Sequence, residues 1–303
     1  MKIIKNTKKE DWLEKELATE MINISPSANA KENITPTYLI IHYTATDTAS
    51  QAIDWFMSVP PDNPNRIAAH IVVDLDGTIT QLIPFNKRAN HAGISSWDGK
   101  IGMNIHSIGI EIVNPGFVEK LSNGTFKRRI TKTKNTIYPA TKASKILKAD
   151  HKHLFWTDAE NHHWFKYPPA QLNAVYALSK LLVNHYQLIT AIGHDDVSPA
   201  RKPDPGPAFP WDEFKTTVFG ANNPIGSIMI IESEDGSANL RVEPNKEASL
   251  VKKLNNGHQV EIIETFGQWT KVYLVNSKND LIDSSGSTTK IIGWVFSRLL
   301  KAK

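Results

Sequence analysis

Between Gly193 and Gly206 the chain reads Gly-His-Asp-Asp-Val-Ser-Pro-Ala-Arg-Lys-Pro-Asp-Pro-Gly, and its three prolines leave this stretch few conformations. Each proline fixes its own φ, lacks an N–H and pushes the residue before it out of the helical region. Neither a helix nor a central strand can therefore run through 199–205. The apolar run 188–192 reads as a buried strand with His194 at its tip, and Asp204 follows ten residues later, held between Pro203 and Pro205. A rigid loop presenting an imidazole and a carboxylate is half of a metal site, which needs at least one further ligand from elsewhere.

The chain has 303 residues, 40% of them hydrophobic, and can bury a sizeable core in two domains or one large one. It has no cysteine. Disulfides and thiolate sites are thereby excluded, and any zinc must be held by histidine and carboxylate ligands, a donor set that points to catalysis because structural zinc generally uses cysteine. Residues 1–10 lack the apolar core of a signal peptide, and no window approaches membrane-spanning length. The net charge is +4 but unevenly spread: residues 117–167 hold eleven Lys/Arg against four acids, a surplus of seven that leaves the remainder at −3. Such a basic surface suits an anionic polymer, although a solvated loop without a partner produces the same pattern.

Residues 1–35 read as a polar N-terminal arm with one weakly amphipathic helix over 11–22. A compact apolar strand at 38–41 ends in His42, and a helix over 48–57 presents Ile53, Phe56 and Met57 inward until Pro60 and Pro61 stop it. Residues 68–83 form a hairpin turning at Asp76 and Gly77. In the strand 107–113, Ile108, Ile110 and Ile112 fall on one face and Glu111 on the other. The basic segment 117–167 has scattered strand-like and helix-like pieces, and a loop this long inside a compact domain is generally functional or disordered. A long helix then runs from Pro168 through Tyr186, with Leu172, Val175, Leu178, Leu181, Leu182 and His185 at helical spacing. Alternating strands and helices predict an α/β layer structure, with a central mixed sheet flanked by helices, over 36–220. Residues 221–226 read as a linker, and 227–303 as a small all-β barrel with strands at 228–232, 238–242, 259–264, 270–274 and 291–296.

His42, His194 and Asp204 are the candidate metal ligands. Two neutral imidazoles and a carboxylate bind zinc and leave a fourth position open, where a water becomes acidic and nucleophilic. Taken singly, each histidine reads as an ordinary core or surface residue. Together with Tyr-Leu-Ile-Ile-His-Tyr-Thr at 38–44, Asn-His-Ala-Gly-Ile-Ser-Ser-Trp at 90–97, Ser-Ile-Gly-Ile-Glu-Ile at 107–112 and the 193–206 loop, they make the chain resemble the type 2 N-acetylmuramoyl-L-alanine amidases. This superfamily of zinc amidases includes the peptidoglycan recognition proteins. The order and spacing look most like the bacterial branch that cleaves intact and anhydro-muropeptides, and the resemblance spans roughly 36–217.

The resemblance implies zinc as cofactor, with His42, His194 and Asp204 as ligands. It implies Glu111 as the general base that moves a proton from the attacking water to the leaving amine, and Lys202 as the stabiliser of negative charge on the attacked carbonyl. His91 either lines the substrate groove or is structural, and Trp97 is either a sugar platform or a loop anchor. His70 reads as a hydrogen-bonded core residue, and the pairs His151/His153 and His162/His163 as solvated loop histidines.

Residues 227–303 resemble the bacterial SH3 domains found beside cell-wall hydrolases. They depart from that family at Val242 and Glu243, where Ser-Gly is usual, and in the polar stretch 276–290. The combined expectation is a monomeric peptidoglycan hydrolase acting on wall or muropeptides, in the periplasm or outside the cell. Its export is expected by a non-general route or with a leader already removed. The basic insertion 117–167, placed beside the groove, is expected to attract the anionic wall. The alternative is a non-catalytic peptidoglycan-recognition protein, marked in this superfamily by a lost ligand, whereas here all three are present. Nucleic acid is not an expected partner, because the basic segment lacks aromatic interleaving or a reader motif, and neither is membrane insertion.

Overall fold

The computed structural model describes residues 1–14, 22–24, 30–58, 67–130, 133–153, 163–219, 226–266, 268–275, 281–282, 288–289 and 291–302. At its centre lies a six-stranded mixed sheet of β1 (Ile22–Ile24), β2 (Tyr38–Tyr43), β3 (Ile71–Val73), β4 (Ile79–Gln81), β5 (Ser107–Ile112) and β6 (Thr190–Gly193), in the order β6-β2-β5-β3-β4-β1. Only the β3–β4 hairpin, turning at Gly77 with φ +91°, is antiparallel. The other pairs are parallel. β2 opens on the apolar run 38–41 because both faces of a parallel sheet are covered, and the period-2 alternation then decides only which cover each residue meets.

One face takes the odd positions of β2 and the even positions of β5. Leu39, Ile41, Ile108, Ile110 and Ile112 pack under helix α2 (Pro169–Tyr186) through Val175, Leu178 and Leu182, joined by Phe214 and Val218 of the C-terminal helix of this layer, Trp211–Phe219. The prolines at the start of α2 need no N–H there. Gln171 in its first turn is fully buried and donates from Nε2 to Val73 O at 3.1 Å and Val113 O at 2.9 Å, pinning the helix to the ends of β3 and β5. His185, at helical spacing with the inner face, points instead to solvent. The opposite face is covered by α1 (Ala49–Ser58) over Val72, Leu82 and Ile83. Helix α1 buries Ala49, Ala52 and Phe56 while Met57 is exposed. The two prolines expected to end it fall outside the described residues.

Two of the segment expectations change. The helix over 11–22 is absent where it can be seen. Asp11–Leu13 is a strand paired with Ile3–Lys5, and Ile22–Ile24 joins the central sheet beside β4. The reason is tertiary: Leu13 is 2% exposed, its N–H donates to Gln81 Oε1 at 2.7 Å, and the buried Asp11 carboxylate accepts from Tyr186 Oη at 2.6 Å. In segment 117–167 the described strand-like pieces are gathered into one sheet rather than scattered along a loop. Its described strands Phe117–Lys120, Phe126–Arg129, Asn135–Tyr138, Ile146–Lys148 and His163–Phe165 form an antiparallel five-stranded sheet with its own small core of Val118, Phe126, Tyr138, Ile146 and Phe165. Basic residues are mixed along the chain with these apolar ones, Arg129 exposed and Arg128 buried, so the composition alone reads as a loop.

The C-terminal region is all-β, a seven-stranded sheet that adds Leu250–Asn255 and Leu300–Ala302 to the expected strands. It docks on the central domain. Trp97 is fully buried and meets Tyr273 edge-to-face at 5.3 Å, Lys271 Nζ lies 2.6 Å from Asp98 Oδ2, and Lys215 pairs with Glu261. A sugar platform needs an open ring face, so Trp97 is an anchor. Of the expected linker at 221–226, all but Gly226 falls outside the described residues. Among the described residues no helix is long and apolar enough to cross a membrane.

Because Leu13 belongs to the main core, Leu13→Ala should lower unfolding free energy by about 2–4 kcal/mol in equilibrium urea titrations. A solvated arm would change it by less than about 0.5 kcal/mol.

Candidate metal centre

β2 and β6 run parallel with Ile41 opposite Gly193, so the residues that follow, His42 and His194, emerge side by side at the strand ends. His194 opens the one-turn helix His194–Val197, and the chain then returns through the proline loop to Asp204. Three acceptors converge there. His42 Nδ1 lies 2.8 Å from His194 Nδ1 and 3.0 Å from Asp204 Oδ2, and His194 Nδ1 lies 2.9 Å from Asp204 Oδ2. All three residues are buried.

Their other contacts determine which atoms carry protons. His194 Nε2 faces Ala92 O at 3.0 Å, and a carbonyl can only accept, so the proton sits on Nε2 and Nδ1 keeps its lone pair. His42 is oriented through a relay. Ser107 Oγ donates to Met103 O at 2.6 Å and so accepts from His91 Nε2 at 3.3 Å, which leaves His91 Nδ1 to accept from His42 Nε2 at 2.9 Å. His42 Nδ1 is thereby bare as well. Burial, reinforced by the neighbouring His194, pushes His42 down to about 4, and burial with the surrounding histidines holds His91 well below its usual value. Burial alone would raise Asp204, but a proton brought to the site by His194 or His42 outweighs burial and holds the carboxyl well below its usual range.

Two imidazole lone pairs and an anionic oxygen directed at one buried point repel unless a cation sits among them. A proton can serve one pair, whereas a divalent ion serves all three. Edges of 2.8–3.0 Å need open by only a few tenths of an ångström to reach the roughly 3.3 Å of a tetrahedron with ~2.0 Å bonds. The donor set therefore fits zinc.

Glu111 lies beside His42 in register on β5, on the same face. It is buried, and its Oε2 has no hydrogen-bond partner. Burial first, and Asp204 second, raise it well above the usual carboxyl range, while Lys202 works in the opposite direction. His42, His91, Glu111, His194, Lys202 and Asp204 all line a cleft of about 860 Å³, whose apolar rim includes the exposed Trp55, Ile67 and Ile94. Trp97 does not line it.

Several supporting residues escaped the sequence reading. His91 was weighed only as groove or structural, yet it orients His42. A Cβ at Gly109 would come within 2.5 Å of the His91 ring, so this glycine inside a strand is what lets the imidazole lie across β5. The isolated strand glycine was the available signal. Arg201 donates to Ala92 O at 2.7 Å and Ile94 O at 2.9 Å, holding the loop that His194 leans on. His70 is the buried core residue expected, bonded to Lys87 O and to the Gly109 N–H. His151 and His153, expected in solvent, are buried against Asp195 and Asp196, because the inserted sheet folds back over the 193–206 loop. His162 falls outside the described residues.

Comparison with known proteins follows these features. The family model described as N-acetylmuramoyl-L-alanine amidase matches residues 32–207, and the bacterial SH3 domain model matches 236–301. The chain is 27% identical over 199 residues to the 1,6-anhydro-N-acetylmuramyl-L-alanine amidase AmpD of Escherichia coli strain K12, covering 61% of this chain and 83% of that protein. It is 28% identical over 193 residues to the N-acetylmuramoyl-L-alanine amidase AmiD of the same organism, covering 60% of this chain and 53% of that one. Among solved structures, a selenomethionine derivative of AmpD aligns at 25% identity and TM-score 0.45, over 68% of this chain and 99% of that chain.

Zinc at about 100 times its Kd should stabilise the protein by about 2.7 kcal/mol. The increment, read as a thermal shift between chelator-treated and zinc-loaded samples, should vanish in Asp204→Ala and persist in His258→Ala, a change in the distant C-terminal sheet.

Proposed function

Because the chain belongs to the N-acetylmuramoyl-L-alanine amidase family, we propose that it hydrolyses the amide joining N-acetylmuramic acid to the first L-alanine of the peptidoglycan stem peptide, with zinc held by His42, His194 and Asp204. The observation that carries the reading is the convergence of three bare acceptor atoms beside a buried, unpartnered carboxyl oxygen at the floor of a wide cleft. Bound there, zinc supplies a Lewis acid that polarises a carbonyl and makes water nucleophilic near neutral pH.

The chain's own groups complete the reaction. Glu111, raised by burial, takes a proton from the attacking water as the new C–O bond forms, and returns it to the alanine nitrogen as the C–N bond breaks. The products are a lactyl carboxylate and a free peptide amine. Lys202 carries its ammonium on the same lining and offsets the charge that grows on the carbonyl oxygen. The relay from Met103 through Ser107 and His91 keeps His42 in the required tautomer throughout. A receptor that binds without cutting has no use for Glu111 and Lys202 in the same cleft, and the complete donor set disfavours that alternative.

The bacterial SH3 region fits a tether that raises effective concentration at an insoluble wall, with the catalytic domain taken as 36–220 and the barrel as 227–303. The reading is of a monomer working on peptidoglycan or its muropeptides in the periplasm or outside the cell. AmpD and AmiD, by their names amidases of anhydro-muramyl-L-alanine and muramoyl-L-alanine substrates, support that substrate class. The inserted sheet contributes less free charge than its composition suggests: Arg128 donates to Ala45 O at 2.9 Å, Lys152 pairs with Asp196 at 2.7 Å, and Lys127 pairs with Glu119.

Digestion of purified sacculi, followed by mass spectrometry, should show free stem peptides released by the zinc-loaded protein and none after chelation. Glu111→Gln should lower kcat by about 10²–10⁴-fold with zinc content unchanged. Absence of free stem peptides from the metal-loaded wild type would end the amidase assignment.

A further inference from the structure

Behind the metal centre, on the side away from the cleft, the inserted sheet folds a short segment, His151, Lys152 and His153, against the two ligand-bearing loops. Beyond the proposed reaction, and resting on its metal assignment, we propose that His151 is a positioning residue that ties the His194 loop to the Asp204 loop and so sets the separation of the two ligands.

Its geometry is that of a donor to one loop whose ring lies against the carboxylate of the other. His151 Nδ1 accepts the His153 N–H at 3.0 Å, which leaves the ring proton on Nε2. Nε2 donates to Pro203 O at 3.0 Å, the carbonyl immediately before Asp204, and lies 3.1 Å from Asp195 Oδ2, on the residue immediately after His194, in a contact without hydrogen-bond geometry. The same two loops are joined directly by the Asp195 N–H to Asp204 O at 2.7 Å, so His151 braces a contact that already exists. The imidazole is itself held in place. It is 4% exposed and stacked at 5.5 Å on Trp164, whose indole N–H donates to Ala149 O at 3.0 Å. On its other side Trp164 lies so close to Gly206, with φ +73°, that a Cβ there would come within 2.7 Å of the indole, so the end of the proline loop is shaped to receive this part of the insertion.

The neighbouring residues explain how two further carboxylates can be buried next to Asp204 without disrupting it. Lys152 Nζ lies 2.7 Å from Asp196 Oδ2 and 3.3 Å from Asp195 Oδ1, and His153 Nε2 lies 3.3 Å from Asp196 Oδ1. His153, Asp195 and Asp196 have the makings of a second cation site, but the Lys152 ammonium already provides its cation, so the cluster reads as a brace. Asp196 also accepts the Gly193 N–H at 3.0 Å, which ties the brace to the end of β6. Buried, hydrogen-bonded groups of this kind orient metal ligands through the backbone and side chains they hold.

The test separates positioning from general support. His151→Phe keeps the ring and its packing on Trp164 but removes the donor, and His151→Gln restores a donor of similar reach. With competition against a chromophoric chelator as readout, the phenylalanine variant should raise the zinc Kd about tenfold or more, and the glutamine variant should return it to within about threefold of wild type. The zinc-induced thermal shift should shrink in parallel. An unchanged zinc Kd in His151→Phe, whatever its unliganded melting temperature, overturns the proposal while leaving the metal assignment intact. A wild type that binds no zinc overturns both. Should the phenylalanine variant fail to fold, His151→Asn, whose shorter amide does not reach Pro203 O, is read by the same criterion.

Discussion

Two imidazole nitrogens and a carboxylate oxygen meet at distances of 2.8–3.0 Å in a place shielded from water. Such a meeting of lone pairs is unfavourable in itself and persists only where the surrounding structure determines it from several directions. Each direction is identifiable. Parallel pairing of β2 with β6 brings the two histidines out together, and pairing of β2 with β5 puts Glu111 beside His42. The Ala92 carbonyl and the Met103–Ser107–His91 relay direct both Nδ1 lone pairs inward.

The electrostatic consequence is a division of roles among buried groups of similar type. Asp204 stays ionised because histidine neighbours outweigh its burial, whereas Glu111, buried without such partners, is raised and so suited to receiving and giving a proton. Asp195 is raised by burial too, but there Lys152 and His151 act against the shift, and the carboxylate serves to hold a loop. Within one part of the molecule, three buried carboxylates thus come to differ in their hold on a proton, according to which cation or hydrogen-bond donor each one meets.

The inserted sheet and the C-terminal barrel extend this scaffold rather than decorate it. The sheet supplies Phe117 to the cleft wall, Arg128 and Tyr138 to the loop after β2, and His151 to the loops behind the metal. The barrel meets the core at Trp97, Asp98 and Lys215. Ion pairs buried at such contacts cost about as much in desolvation as they return, and their effect is to select one arrangement of the parts over others.

How much of this was legible depended on whether the information is local. The strand carrying His42, the alternation placing Glu111 opposite three isoleucines, the proline loop and the helix over 169–186 are each encoded within a few residues, and the linear sequence determined them. The motifs in order also determined the amidase and bacterial SH3 family memberships. The N-terminal strand, the ordered inserted sheet and the positions of Trp97, His151 and His153 were decided only by tertiary contacts. Leu13 becomes a strand residue because Gln81 and the main core receive it, and Trp97 an anchor because Tyr273 closes over it. His151 leaves solvent because Pro203, about fifty residues away, accepts its proton and Asp195 packs against it. Period and propensity describe what a segment prefers in isolation, whereas burial and hydrogen-bond partners at long range are properties of the assembled fold.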